Sequence, residues 1–296
     1  MRTKPDMNYK NLSLAILFFC IRAVFSQSTD IARVEYTMLP KNDSEIQVAR
    51  WRFLFNLPIR VAHEQYLVAG MEYNQIDFDN SGTLPFDGSD LKGLHVIDLN
   101  MGYIFKWNAN WRFVGIVSPR LASNFVEGLQ GDDWKLNMTA SFWKEVPDAE
   151  RPFRLVLGLS YNSNTGLPFP LPLVNYYRKF DPHWAFILGI PKSAFRHFFN
   201  DRHLMEASVF LDGYFVNIQN DILLSDGAIG SSISLSAGIG ALEYQYKITQ
   251  KLSFYSLAGY AFFQNGLLRD DKRNNVFVLN KNGNIYFRTG LKVSIF

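Results

Sequence analysis

The amino-acid sequence predicts an all-β fold: one antiparallel, up-and-down transmembrane β-barrel of twelve to fourteen strands, best counted as fourteen, over residues 27–296. Three observations predict it. Apolar side chains recur at every second position in segment after segment, the period of a strand with two unlike faces. Tight turns flanked by aromatics alternate with longer polar connections. Beyond the start of the chain, no stretch reaches the roughly 18 uninterrupted apolar residues of a membrane helix, so a membrane form must be a closed barrel that pairs its own backbone amides.

The start of the chain reads as a leader. Arg2, Lys4 and Lys10 precede an apolar run from Leu12 to Phe19, and small residues near Ser26 offer a cleavage point before Gln27. That is the layout of a secretory signal peptide over residues 1–26, and Arg22 breaks the run that a permanent anchor would need. The single cysteine, Cys20, follows Phe18 and Phe19, whereas a lipoprotein cleavage box wants small residues there. The mature chain is therefore expected to lack cysteine, which excludes disulfides and thiolate metal sites. Removing Arg2, Lys4, Lys10, Arg22 and Asp6 from 30 basic and 27 acidic residues leaves the two classes equal. The basic character belongs to the leader, and nucleic-acid binding loses its compositional support.

In order, the strands are read at 30–39, 46–61, 66–78, 94–107, 111–121, 134–145, 151–162, 169–179, 184–190, 193–199, 204–217, 231–247, 252–263 and 283–296. The second sets Trp51, Phe53, Phe55 and Leu57 against Arg50, Arg52 and Asn56, and the third opposes Leu67, Met71 and Tyr73 to Glu72 and Asn74. The fourth is the clearest. Ile97, Leu99, Met101, Tyr103, Phe105 and Trp107 form one column, with Asp98, Asn100, Gly102 and Lys106 on the other face. That pairing suits a lipid-facing wall around a polar lumen, although a soluble sandwich gives the same alternation with its apolar face turned inward.

The turns favour the barrel. Residues 103–113 and 176–186 each place aromatics on both sides of a very short polar turn, so Trp107, Trp111, Phe180 and Trp184 are expected to form part of an aromatic girdle at the headgroups. The alternate connections, 79–94, 123–133, 217–230 and 264–283, are longer and more polar. With the tight turns all on one side, fourteen strands leave both mature ends at the periplasmic face. The hairpin at 184–199 is the weak point, because its strands fall short of the roughly 9 to 11 residues of a tilted membrane strand; merging it gives twelve. After Ile233, Leu235, Ala237 and Ile239 the apolar phase shifts to Leu242, Tyr244 and Tyr246, which predicts a β-bulge near Gly240. Pro58, Pro119 and Pro191 are placed near strand ends, where a missing backbone donor is tolerable.

The last strand alternates Ile285, Phe287, Thr289, Leu291, Val293 and Ile295 against Tyr286, Arg288, Gly290, Lys292 and Ser294. It resembles the C-terminal assembly signal of outer-membrane barrels in Arg288, Gly290, Val293 and Ile295. It departs from that signal in that Phe296 follows Ile295 out of phase. With the leader ending at Ser26-Gln27 and the turns at 107–111 and 180–184, the mature chain resembles Bacteroidetes-type outer-membrane β-barrel proteins, in particular a family of roughly this length with no assigned activity. The resemblance implies a bacterial outer-membrane address, and membrane lipid and the barrel-assembly machinery as partners. It implies no cargo.

The alternation nominates Arg50, Arg52, Glu72, Asp98, Lys106, Arg112, Lys135, Arg154, Glu206, Asp212, Glu243, Lys247, Arg288 and Lys292 as lumen-lining. Either these pair across the interior and hold it rigid, or the basic surplus near the closing seam (Arg50, Arg52, Arg288, Lys292) biases a pore toward anions. The histidines, His63, His95, His183, His197 and His203, show no zinc spacing, no His-x-Ser appears, and no phosphate-cradling loop precedes a helix. No cofactor or metal is expected, and catalysis is the less favoured reading. The leading expectation is a passive pore or transporter for an unknown small solute. A lipid-modifying or other rim-site enzyme and a plugged structural or surface-interaction barrel remain as alternatives.

Overall fold

The computed structural model describes residues 30–41, 46–80, 84–86, 88–146, 150–163 and 170–294. The leader and the terminal pair Ile295 and Phe296 lie outside the described residues. The strands are β1 (Asp30–Leu39), β2 (Ile46–Ala62), β3 (Gln65–Asn80), β4 (Leu94–Lys106), β5 (Trp111–Ser123), β6 (Trp134–Val146), β7 (Phe153–Tyr161), β8 (Pro170–Asp181), β9 (Trp184–Ile190), β10 (Lys192–Phe198), β11 (His203–Leu223), β12 (Ile229–Lys247), β13 (Leu252–Arg269), β14 (Asn275–Asn280) and β15 (Asn284–Ser294). Each of β1 to β12 pairs antiparallel with the next, β12 pairs with β13, β13 with β15 and β15 with β1. The result is a closed barrel of fourteen strands, with β14 as a short flap on the far end of β13.

Closure removes the free edges that a lone sheet would expose. The outer face carries the apolar column: Leu99 is 49% exposed, Met101 56% and Leu157 42%, and Phe105 and Leu155 are half-exposed on the same face. Leu57, Leu188, Val209 and Leu242 extend this belt around the wall. An apolar surface that encircles a protein far exceeds the patch size a soluble monomer tolerates.

The chain corrects the sequence reading in two places. A bulge does occur at the predicted level, but the extra residue is Phe262 on β13, where the register slips between Gly238 and Ile239 of its partner. β12 itself keeps one phase throughout: Ile233, Leu235, Ala237 and Ile239 point inward and are buried, whereas Leu242 and Tyr244 point outward. The apparent phase change marks a change in what fills the interior. Second, the connections read as starting at 217 and 264 begin later, because β11 runs on to Leu223 and β13 to Arg269. Pro58 and Pro119 lie near the ends of β2 and β5, opposite Val68 and Leu136, and Pro191 forms the β9 to β10 turn, all as expected.

Candidate functional site: the barrel interior

Strands β9 and β10 have only 7 residues each. Their partner β11 outruns them: Lys192 opposite Phe210 is the last register pair, and Leu211 N–H donates to the Pro191 carbonyl at 3.1 Å. Beyond that point the β10 side of β11 has no strand beside it until Asn217 pairs, in parallel, with Ser123 at the end of β5. Five strands separate β5 from β11 around the wall, so this bridge crosses the mouth. The β5 to β6 loop clasps it. Gln219 N–H donates to Asn124 Oδ1 at 3.1 Å, and the Asp133 carboxylate accepts from Gln130 N–H (2.8 Å), Asn217 Nδ2 (3.0 Å) and Gln219 Nε2 (2.8 Å). Burial alone would raise the Asp133 pKa, but these hydrogen bonds outweigh it and hold the carboxyl below its usual range.

The bridge divides the interior. On one side lie β11 to β15 and β1 to β5, and their inward faces change character along the barrel. Near the loops they are apolar: Val48, Ile76, Leu94, Val216, Ile218, Ile233, Ile239 and Leu268 pack into one core. Two to four residues further down they are charged. Asp212 accepts two bonds from Arg50 (3.1 and 2.8 Å), one from Tyr286 Oη (2.7 Å) and one from Arg288 (2.7 Å). Arg52 forks onto Glu72 at 2.9 and 2.8 Å. Glu35, fully buried, accepts from Tyr255 Oη at 2.5 Å and lies 3.5 Å from Arg33 and from Arg288. Burying charge demands such pairing, since an unpaired ion there is costly. At the border, Arg120 grips Asp98 at 2.7 and 2.8 Å.

The other side, along β5 to β10, sets half-buried polar groups beside buried Val114, Ser141 and Val156. Thr139 and Ser160 hydroxyls meet at 2.9 Å, Ser163 donates to Asn137 at 2.9 Å, and Glu145 lies between Arg112 (3.6 Å) and Arg154 (3.7 Å). Tyr177, Ala185, Ile187 and Ala194 form a small apolar patch across β8, β9 and β10.

The nominated residues fall as follows. Arg50, Arg52, Glu72, Asp98, Asp212 and Arg288 form the ion-paired layer just described, while Arg112 and Arg154 flank Glu145. Glu206 takes both Lys192 and Arg196, and Glu243 stands opposite it in the register. Lys292 lies over the Tyr255 ring at 5.2 Å. Lys135 donates to the Asp132 carbonyl at 2.6 Å at the loop end. Lys106 reaches Glu64 at 2.8 Å beside a tight turn, and Lys247 is exposed at another. Trp107, Phe180 and Trp184 are exposed outward beside such turns, and Trp111 is half-buried under Lys144. In the terminal strand, a side chain at Gly290 would strike the Val34 carbonyl at 2.5 Å and the Tyr255 ring at 2.9 Å, so only glycine fits, and Val293 pairs with Ala32.

Sequence reasoning missed Glu35, Arg33, Arg120, Tyr255 and Tyr286. The first two sit in β1, where alternation is weak; Tyr286 stands on the polar face of the last strand with no role assigned to it, and Tyr255 is not singled out by the alternation. Their hydroxyls were the available signal. Among the described residues no cluster of three His, Cys, Asp or Glu side chains is placed to hold a metal. His95 Nδ1 meets Tyr73 Oη at 2.8 Å, His203 Nδ1 meets Tyr244 Oη at 2.6 Å, and the His197 ring lies 4.1 Å from the Trp184 ring, tilted by 42°.

With this geometry in view, a family model described as "Domain of unknown function (DUF6268)" matches residues 41–294. The chain belongs to that family. No curated protein matches it. Among solved structures the DUF6268 chain is similar to the NanC porin, at 7% identity and a TM-score of 0.38, over 89% of this chain and 99% of that one. It is also similar to the KdgM porin, at 9% identity and 0.35, over 88% and 98%. A third likeness is to OmpT, an outer membrane protein of Vibrio cholerae, at 12% identity and 0.31, over 88% and 94%. Likeness at this level carries no argument about activity.

Proposed function

We propose that this protein is an integral β-barrel of the bacterial outer membrane, exported by the leader at residues 1–26, that passes a small solute along the β5 to β10 side of its interior. The encircling apolar belt supports the membrane placement, because a closed wall with greasy side chains outward and polar ones inward is stable in lipid. One observation carries the functional reading: the interior is asymmetric. On the β11 to β5 side it is filled by buried apolar and ion-paired groups, while on the other side Asn137, Thr139, Ser160 and Ser163 set half-buried hydroxyl and amide groups, hydrogen-bonded to one another, toward the interior. Such a lining favours hydrated, uncharged or weakly charged small molecules over ions at high flux.

The filled half also supports a second reading, a sealed barrel with a structural role. Planar-bilayer recording separates the two. Reconstituted protein is expected to give small discrete conductance steps that shrink in Thr139→Trp and Ser160→Trp, which crowd the open side. Absence of steps from protein that is folded and inserted overturns the conduit reading in favour of the sealed one.

A further inference from the structure

The outward face of the wall carries charge where the lipid belt meets the tight turns. Lys144 of β6 shares that face with Phe142, and Arg178 of β8 stands between Tyr176 and Phe180, whose rings pack on Phe153 and Phe186 outside the barrel. Among the described strand residues of β5 to β10, these are the charged side chains on the outward face. Both lie near the turns, Lys144 two residues before β6 ends at Val146 and Arg178 three before β8 ends at Asp181. A cation facing hydrocarbon is costly at mid-depth, and the cost falls away at the interface, where aromatic belts also sit.

Neither cation is spent within the protein. Lys144 Nζ lies 6.0 Å from the centre of the Trp111 ring. Glu145, next in the chain, faces inward to Arg112 and Arg154, and the Asp181 carboxylate accepts from His183 N–H at 2.8 Å. Among the described residues no carboxylate pairs with Lys144 or Arg178. Both are half-buried, so their stems lie along apolar neighbours while the charged heads stay free. One strand separates them: Lys144 stands opposite Leu155, and Arg178 opposite Phe153, on β7. Two strand spacings and one same-face step put their Cα atoms about 12 Å apart, a span that two long side chains close on a single phosphate.

We propose that Lys144 and Arg178 form a binding site for the headgroup of an anionic phospholipid in the periplasmic leaflet, its acyl chains lying on Leu155, Leu157 and Leu159 of β7. Two cations facing one phosphodiester leave net positive charge, which favours an anionic headgroup and repels the ammonium of a zwitterionic one. The site rests on the membrane placement proposed above and adds to it a choice among lipids.

The test is native mass spectrometry of the full barrel, released from a neutral detergent after incubation with equal amounts of phosphatidylglycerol and phosphatidylcholine of the same chains. Wild-type protein is expected to retain phosphatidylglycerol in preference to phosphatidylcholine. Arg178→Gln and Lys144→Gln should each reduce that preference about fivefold, the factor one cation near an anionic headgroup supplies, and the double variant should abolish it. Arg202→Gln removes an exposed cation from the β10 to β11 turn and should leave the preference unchanged. Heat-modifiable gel mobility reports folding, and Lys144→Gln decides the matter if Arg178→Gln does not fold. Equal retention of the two lipids by wild type, wild-type preference in the folded Lys144 and Arg178 variants, or an equal loss in Arg202→Gln overturns the proposal and leaves the membrane placement standing. Retention of neither lipid by folded protein removes both.

Discussion

Replacing Asp212 by alanine should be among the most damaging single changes in the interior. Its carboxylate accepts from Arg50 twice, from Arg288, from Tyr286 and from the Gly213 N–H at 2.9 Å, and so ties β11 to β2 and β15 through the middle of the barrel. Removing it strands the Arg50 guanidinium, whose side chain is only 10% exposed. Breaking one partner out of a buried pair costs about 3–5 kcal/mol, because the remaining ion is left unpaired and desolvated. Arg50→Met should cost about as much, while Arg50→Met combined with Asp212→Leu removes both charges and should lie closer to wild type than either single change, a coupling of at least about 2 kcal/mol. Guanidinium unfolding from lipid vesicles, followed by tryptophan fluorescence, measures the cycle. Two single variants each within about 1 kcal/mol of wild type would refute the claim that this pair braces the barrel.

Other outcomes follow from the same structure. Because the folded Asp133 carboxyl lies below its usual range, the loop clasp should be complete above about pH 4, the ordinary carboxylate value, and be lost as pH falls through the lower folded value; amide exchange at Gln130 and Gln219 should rise there, and in Asp133→Ala at all pH. Gly189→Ala would place a methyl 1.9 Å from the Val174 carbonyl oxygen, so it should weaken the β8 to β9 pairing by about 1–3 kcal/mol and lower the midpoint of heat unfolding on gels.

The outer wall was legible because a membrane strand writes its two faces at a period of two. The column from Ile97 to Trp107 needed no tertiary information, and the alternation of turns and loops favoured fourteen strands while the brief 184–199 hairpin left twelve open. The short β9 to β10 hairpin was also legible, as strands too brief to cross, but its consequence was not. That β11 leaves β10 and reaches Ser123 depends on a contact between strands far apart in sequence, set by the Asp133 clasp. The interior filling was misread for a related reason. Ile233 and Ile239 obey the strand period, but they point inward near the loops, where the alternation rule expects polar groups, and so the pattern looked like a slipped phase. Glu35 was hidden by the weak pattern of β1. Its burial follows from the arginines of β2 and β15, which neighbour it only once the barrel closes.

The central claim is that the column containing Leu99 and Met101 faces lipid while Asn100 faces the interior. Spin labels at Leu99→Cys, Asn100→Cys and Met101→Cys, each in a Cys20→Ser background and reconstituted in vesicles, test it through relaxation by oxygen, which concentrates in lipid, and by a water-soluble nickel chelate. The account predicts high oxygen and low nickel accessibility at 99 and 101 with the reverse at 100. Nickel accessibility at 99 and 101 equal to that at 100 would contradict it.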